Sequence, residues 1–175
     1  MVRAFVGLTV PDDVKSYISG LQRAMQQFPI KAKFVEQENI HISLSFLGEV
    51  NDPELEEIKS KLDNISKSYE KFKITIDSIL LIPNRNFIRV VALDVKSDIL
   101  ESLRKEIVKS LDGKSHSAHL TLARVSSIDD KKKFIENVNI AYPSLTFDID
   151  GICLIKSELR KSGPVYTILH KSHLK

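Results

Sequence analysis

Two short stretches of this chain carry an imidazole and a hydroxyl two residues apart: His41-Ile42-Ser43-Leu44 within NIHISLSFLG, and His119-Leu120-Thr121-Leu122 within AHLTLARV. In each, apolar and small polar residues alternate with the period of a strand that buries one face, so the histidine and the hydroxyl leave the same side. Two such strands supply two titratable imidazoles and two hydroxyl donors, the equipment for moving protons on either side of a phosphate. The chain therefore reads as an enzyme. His170-Lys171-Ser172 has the same spacing, but His173 and the chain end follow at once, where fraying is expected, and both histidines are set aside. His116 stands at the opposite strand parity to His119 and is expected in a loop.

Other chemistries lack their signatures. Neither motif brings a carboxylate at ligand spacing, and hydroxyls are poor zinc ligands, so neither a metal nor a cofactor is expected. There is no Walker loop, no GxGxxG and no CxxC. Ser43 or Thr121 could act as a nucleophile beside its imidazole, yet no GxSxG elbow occurs, and same-face residues along a strand need not point at each other. The acidic run Glu54-Leu55-Glu56-Glu57 and the run Lys131-Lys132-Lys133 read as solvated helix faces.

The elements that must position the motifs alternate along the chain without a low-complexity linker. RAFVGLTV reads as a strand, and Pro11 opens a helix with Val14, Tyr17, Ile18, Leu21, Met25 and Phe28 on its apolar face. The first histidine strand spans 40–47, and Asn51 or Asp52 caps a helix at Pro53 bearing Leu55, Ile58, Leu62 and Ile65. Strands over 72–81 and 87–95 flank a Pro83-Asn84-Arg85-Asn86 turn. The order then recurs. Asp98 and Glu101 form a capping box for a helix carrying Leu100, Leu103, Ile107 and Leu111 that Gly113 terminates. The second histidine strand, 117–125, precedes a short helix at 129–138 and strands at 145–155 and 164–170. The repeat is one of element order rather than of letters, and it predicts two similar lobes whose half-polar strand faces line a cleft.

With 175 residues, 42% of them hydrophobic, the chain suits one compact domain, 1–175. Cys153 is the single cysteine, which excludes a disulfide framework and points to a reducing compartment, the cytoplasm. No apolar run approaches the roughly 20 residues that span a bilayer, and the opening MVRAFVGLTVPDD lacks the basic and long apolar regions of a signal peptide. A net charge of +3 permits a nucleic-acid substrate without demanding one.

The ordered set of motifs resembles the two-histidine (2H) phosphoesterase superfamily, and most closely its bacterial and archaeal RNA 2′,3′-cyclic phosphodiesterases, once called 2′-5′ RNA ligases. The similarity runs from RAFVGLTVP through Val35 and Asn39, HISLSFLG and AHLTLAR to a tail of Leu154, Ser157, Leu159, Gly163 and Tyr166. Ser43 departs from the threonine common in the family, but a hydroxyl donor is retained.

The resemblance implies an α+β fold of two pseudo-symmetric lobes, with mainly antiparallel sheets lining a central groove and helices outside. It also implies metal-independent opening of a 2′,3′-cyclic phosphate at an RNA end, single-stranded or tRNA-derived, to leave a 2′-phosphate, with reversible 2′-5′ joining as a side reaction. By resemblance, His119 is the base, His41 the acid, and Ser43, Thr121 and Arg124 hold the phosphate. Strict strand alternation from His119 and Thr121 sends Arg124 to the other face, unless a bulge or the strand end re-aims it. Lys156, Arg160 and Arg85, read as loop residues, are further candidates for phosphate contact. A monomer with no membrane partner is expected. Two alternatives remain open: a phosphodiesterase for a small cyclic nucleotide such as ADP-ribose 1″,2″-cyclic phosphate, and a non-catalytic nucleotide- or RNA-binding module on the same fold.

Overall fold

The computed structural model describes residues 1–175. It is a mixed α+β fold in which each predicted apolar face finds a partner. The elements follow in the order β1 (Val2–Thr9), α1 (Asp12–Met25), β2 (Ile30–Phe34), β3 (His41–Val50), α2 (Asp52–Ser66), β4 (Phe72–Ile76) and β5 (Ile79–Pro83). Then come β6 (Ile88–Asp94), α3 (Leu100–Leu111), β7 (His119–Ile128), α4 (Lys131–Ile140), β8 (Leu145–Ile149), β9 (Gly151–Arg160) and β10 (Gly163–His173). Asn51 caps α2 in a full capping box with Glu54, which satisfies two of the free donors at that helix start.

The large sheet runs β10-β9-β1-β3-β7-β6-β5, every pair antiparallel, with β2 laid beside the distal part of β7. Its centre is narrow. The two histidine strands touch as neighbours through one residue pair, Ile42 with Leu120, and then diverge. This pinch divides the sheet into two lobes with a groove between them. The lobes are not the two halves of the sequence, however. Strand β9, from the second half, completes the sheet beside β1, while β5, from the first half, completes it beside β6. Helix α3 packs on β3, whereas α1 packs on β7. One cluster of 32 buried apolar residues runs through both lobes, so they share a core.

Several expectations change. The segments 72–81 and 145–155 each contain two strands, broken at Asp77-Ser78 and at Asp150, because β4 and β8 leave the large sheet to pair with each other. Strand β2 is an element that the sequence pattern does not predict. Helix α1 ends at Met25, so Phe28 lies beyond it, where it packs against Phe134 instead, with ring centroids 6.2 Å apart. Asp98 does not cap α3; Ile99 precedes the helix without a side-chain cap, and Glu101 forks onto Arg104 at 2.6 and 2.8 Å. The left-handed residue that ends α3 is Asp112, at φ 50°, not Gly113. The C-terminus does not fray: Lys175 N donates to the Tyr69 carbonyl at 3.0 Å, and Leu174 is buried.

Candidate active site

Each histidine is the first residue of its strand, and over nine residues β3 and β7 share one sequence of buried, half-buried and exposed positions. Both strands carry a β-bulge at the same place. In β3 the register passes from Ser43 opposite Gly7 to Ser45 opposite Val6, skipping Leu44; in β7 it passes from Thr121 opposite Ala92 to Ala123 opposite Val91, skipping Leu122. The extra residue buries two successive side chains, Leu44-Ser45 and Leu122-Ala123, and resets strand parity. Arg124 is thereby turned back to the groove, the outcome that simple alternation denied.

Polar contacts secure the β7 bulge. The Leu122 carbonyl accepts from Val35 N at 2.9 Å and from Gln22 Nε2 at 3.0 Å, and the same amide donates to the Val35 carbonyl at 2.8 Å. Gln22 is buried on α1, so a helix from one half of the sequence holds the strand irregularity of the other.

The imidazoles are oriented by one device used twice. His41 Nδ1 donates to the Asn39 carbonyl at 2.6 Å and His119 Nδ1 to the Ser117 carbonyl at 2.9 Å, in each case the residue two before the histidine. A carbonyl can only accept, so the neutral rings carry their proton on Nδ1 and leave Nε2 as the basic nitrogen. His41 Nε2 meets Ser43 Oγ at 2.9 Å. The His41 ring also lies between Phe5 and Tyr166, with centroids 5.0 Å from each. Burial pushes its pKa below the ordinary 6.5; the Asn39 carbonyl opposes the shift, while the charges of His119, Arg124 and Lys15 add to it. Burial likewise raises the phenol of Tyr166, against the pull of Arg124.

His41, Ser43, His119, Thr121 and Arg124 all line one cavity of about 810 Å³ between the lobes. Other expectations land elsewhere. Lys156 lies in β9, not in a loop; it pairs with Glu158 at 3.2 Å, and Arg160 approaches the same carboxylate at 3.7 Å. Arg85 donates to Asn139 at 3.1 Å, and none of the three lines the cavity. The cations that do, besides Arg124, are Arg3, Lys33 and Lys114. Isolated basic residues give no sequence signal of their own, and Lys33 stands on the one strand that the sequence pattern does not predict. His116 sits in a loop as expected and reaches the cavity wall. His170 Nε2 instead donates to Asp63 at 2.7 Å, beside Ser172 Oγ at 2.6 Å, between β10 and α2. No group of three His, Cys, Asp or Glu side chains is disposed to hold a metal ion.

A family model described as LigT like Phosphoesterase matches the chain twice, over residues 8–92 and 93–166, one match to each histidine motif. The chain belongs to the LigT-like phosphoesterase family. As a phosphoesterase it is an enzyme, and each half of the chain carries one of the two matches. The phosphoesterase is 34% identical to an RNA 2′,3′-cyclic phosphodiesterase of Methanocaldococcus jannaschii, across 96% of this chain and 98% of that one. A protein of the same name from Methanothermobacter thermautotrophicus is 32% identical over 95% of both chains. Among solved structures, TT0787 of Thermus thermophilus superposes with a TM-score of 0.84 at 25% identity, covering 98% of this chain and 97% of that one. LigT of E. coli, solved with 3′-AMP, gives a TM-score of 0.81 at 23% identity, covering 99% and 98%. No helix of the phosphoesterase is long and apolar enough to cross a membrane.

Proposed function

We propose that this phosphoesterase opens 2′,3′-cyclic phosphates at RNA ends, leaving a 2′-phosphate, with His41 and His119 as its acid and base. The observation that carries the reading is the convergence in one groove of two imidazoles, each with Nδ1 tied to a carbonyl, with Ser43, Thr121 and Arg124 beside them. Opening a cyclic phosphodiester needs a base for the attacking water and an acid for the departing ribose oxygen, on opposite sides of phosphorus. His119, whose Nε2 has no protein partner, takes the proton from water. His41 protonates O3′, so the phosphate stays on O2′.

Ser43, Thr121 and Arg124 donate to the nonbridging oxygens, where charge grows in the transition state. The Arg124 guanidinium suits that task because its planar fork can span two oxygens. Burial favours the neutral form of His41; the anionic phosphate of a substrate raises the pKa of a nearby imidazole, so the acid takes up its proton together with the substrate. An incoming 5′-hydroxyl in place of water gives slow, reversible 2′-5′ joining. No step calls for a metal ion. All five groups come from one chain, which suits a monomer, and the unpaired, buried Cys153 suits a reducing cytoplasm.

The experiment is incubation with an RNA bearing a 2′,3′-cyclic phosphate in excess chelator, followed by product identification. A 2′-phosphate resistant to an enzyme that removes only 3′-phosphates is expected. Phosphate release in that digestion means that the substrate docks reversed and the two histidines exchange roles. Activity that chelator abolishes and a divalent ion restores defeats the metal-free mechanism.

A further inference from the structure

Asn39 ends a single 3₁₀ turn, Gln37–Asn39, two residues before His41, and it is buried. A buried amide has to find partners for its polar atoms, and this one finds them on two sides. Its Nδ2 donates to the Pro164 carbonyl at 2.8 Å and to Glu36 Oε2 at 3.0 Å. Both partners are acceptors, so only a group with two hydrogens to give serves them together. The main chain of the same residue holds His41, through the 2.6 Å bond from Nδ1 to the Asn39 carbonyl. One residue thus grips an imidazole and the hairpin that joins β9 to β10.

That hairpin overhangs the sheet. Strand β9 pairs with β1 from Cys153 to Lys156, whereas residues 157–160 pair only with 163–166 of β10. Leu159, on the overhang, is 85% exposed. A two-stranded ribbon without a third strand is marginal in water, so its place is set by what ties it down. Two side chains from outside bond to it: Asn39, and Lys33, whose Nζ reaches the Ser162 carbonyl from an exposed position at 3.3 Å, long for such a bond. What these ties place is Tyr166. Its ring stands edge-on to His41 with centroids 5.0 Å apart, and 5.2 Å from Phe5, the other ring against the imidazole.

We propose that Asn39 is a positioning residue for His41: its carbonyl fixes the ring, and its side chain fixes the aromatic wall that keeps water from the ring. Ser117, which holds His119 by the same main-chain device, is exposed and has no such second grip. The charged and titratable groups around His41 are Lys15 of α1, His119 and Arg124 of β7 and the phenol of Tyr166 on β10, with Glu36 on the far side of Asn39. Burial is the largest influence on the ring and lowers its pKa; His119, Arg124 and Lys15 act in the same direction, and the Asn39 carbonyl opposes them. Releasing the hairpin admits water and weakens the largest influence, while the carbonyl remains whatever side chain stands at 39. The pKa of His41 then rises. The inference rests on the acid-base reading above only for what this does to catalysis.

The test is an NMR titration of the histidines in the full chain without substrate, with His41 and His119 assigned from variants that lack each ring. Asn39→Ala should raise the midpoint of His41 by about half a pH unit or more, a roughly threefold gain in proton affinity, and leave that of His119 in place. Tyr166→Ala should give a shift of similar size, and the double variant should add little to either, because both act through one wall. Asn39→Asp keeps the shape of the side chain, and so the packing if the alanine variant does not fold, but its ionised carboxylate cannot donate. Amide exchange in residues 157–166 should be about fivefold faster in that variant than in the wild type. An unmoved His41 midpoint in Asn39→Ala, shifts that add in the double variant, or unchanged exchange in Asn39→Asp overturns the assignment. With a 2′,3′-cyclic phosphate RNA as substrate, the alkaline limb of kcat/KM should move up with the midpoint in Asn39→Ala. A midpoint that moves while the limb stays keeps Asn39 as the positioning residue and takes the acid's role from His41.

Discussion

Strands β3 and β7 are the same device in two environments. Both begin with a histidine whose Nδ1 is held by the carbonyl two residues back, both place a hydroxyl on the next same-face position, and both bulge one residue later. Their differences lie in what surrounds the ring. His41 is wedged between Phe5 and Tyr166 and its Nε2 is already engaged by Ser43; the Nε2 of His119 has no protein hydrogen-bond partner. The proposed mechanism asks the two imidazoles for opposite protonation states, and what differs between them is their surroundings rather than their strand geometry. Repetition supplies the geometry, and in that reading the departure from repetition separates the roles.

The severest way to break this comparison is to remove either ring. His41→Ala and His119→Ala should each cost on the order of 10² to 10⁴ in turnover, and the double variant should be little worse than either single one. Full activity in one single variant would end the two-histidine mechanism. The pH dependence of kcat/KM sharpens the assignment. The wild type should give a bell; His41→Ala should lose the alkaline limb, which reports the acid, and His119→Ala the acidic limb. Loss of the opposite limbs would exchange the roles.

The hydroxyls come next. Thr121→Ala and Ser43→Ala should each lower kcat by about 10². Only Ser43→Ala should also move a limb of the bell, because Ser43 alone touches its histidine. Equal pH profiles in both variants would show that the contact between Ser43 and His41 has no bearing on the titration.

A smaller effect is expected one step removed. Gln22→Met takes one of two donors from the Leu122 carbonyl and the only side-chain donor from Val35, which should cost about 1–2 kcal/mol of stability in denaturant titration. It should also raise KM several-fold by loosening the bulge that aims Arg124. An unchanged KM at lower stability would separate the bulge from substrate binding.

The smallest expected effect is on stability itself. His41 has a folded pKa below 6.5, so the unfolded chain binds more protons between the two values. Stability is full above 6.5 and declines as pH falls through the folded pKa. His41→Phe should flatten that part of a melting-temperature profile, and a wild-type profile level across the same range would contradict the buried character of this ring.

The candidate pair and its hydroxyls, which the structure gathers in one cavity, are legible in the sequence because strand parity is a short-range property: the period of two is written in HISLS and HLTLA themselves. The bulge is not, since it depends on pairing with β1 and β6, although two adjacent inward residues ending in a small one, Leu44-Ser45 and Leu122-Ala123, are a trace of it. Strand β2 escapes for a similar reason. Its burial alternates, but Lys31 and Lys33 stand at the exposed positions of a five-residue segment, and only β7 beside it makes that a strand. The breaks within 72–81 and 145–155 come from the pairing of β4 with β8, which lie about seventy residues apart in the chain. Local pattern identifies the tools of the groove, and contacts distant in sequence set their aim.

The crossing of elements between halves has one more consequence. Each sheet lobe is completed by a strand from the other half of the sequence, and each histidine strand is backed by the other half's helix. Half of this molecule would expose the open edge of its own sheet and carry a strand with nothing to join, and two such halves could satisfy one another about a twofold axis. An ancestor of half this length would then have had to assemble as a symmetric pair, with two equivalent histidines. Within a single chain the two copies are free to differ, and they do: one imidazole is enclosed between Phe5 and Tyr166, and its twin has no protein hydrogen-bond partner on Nε2.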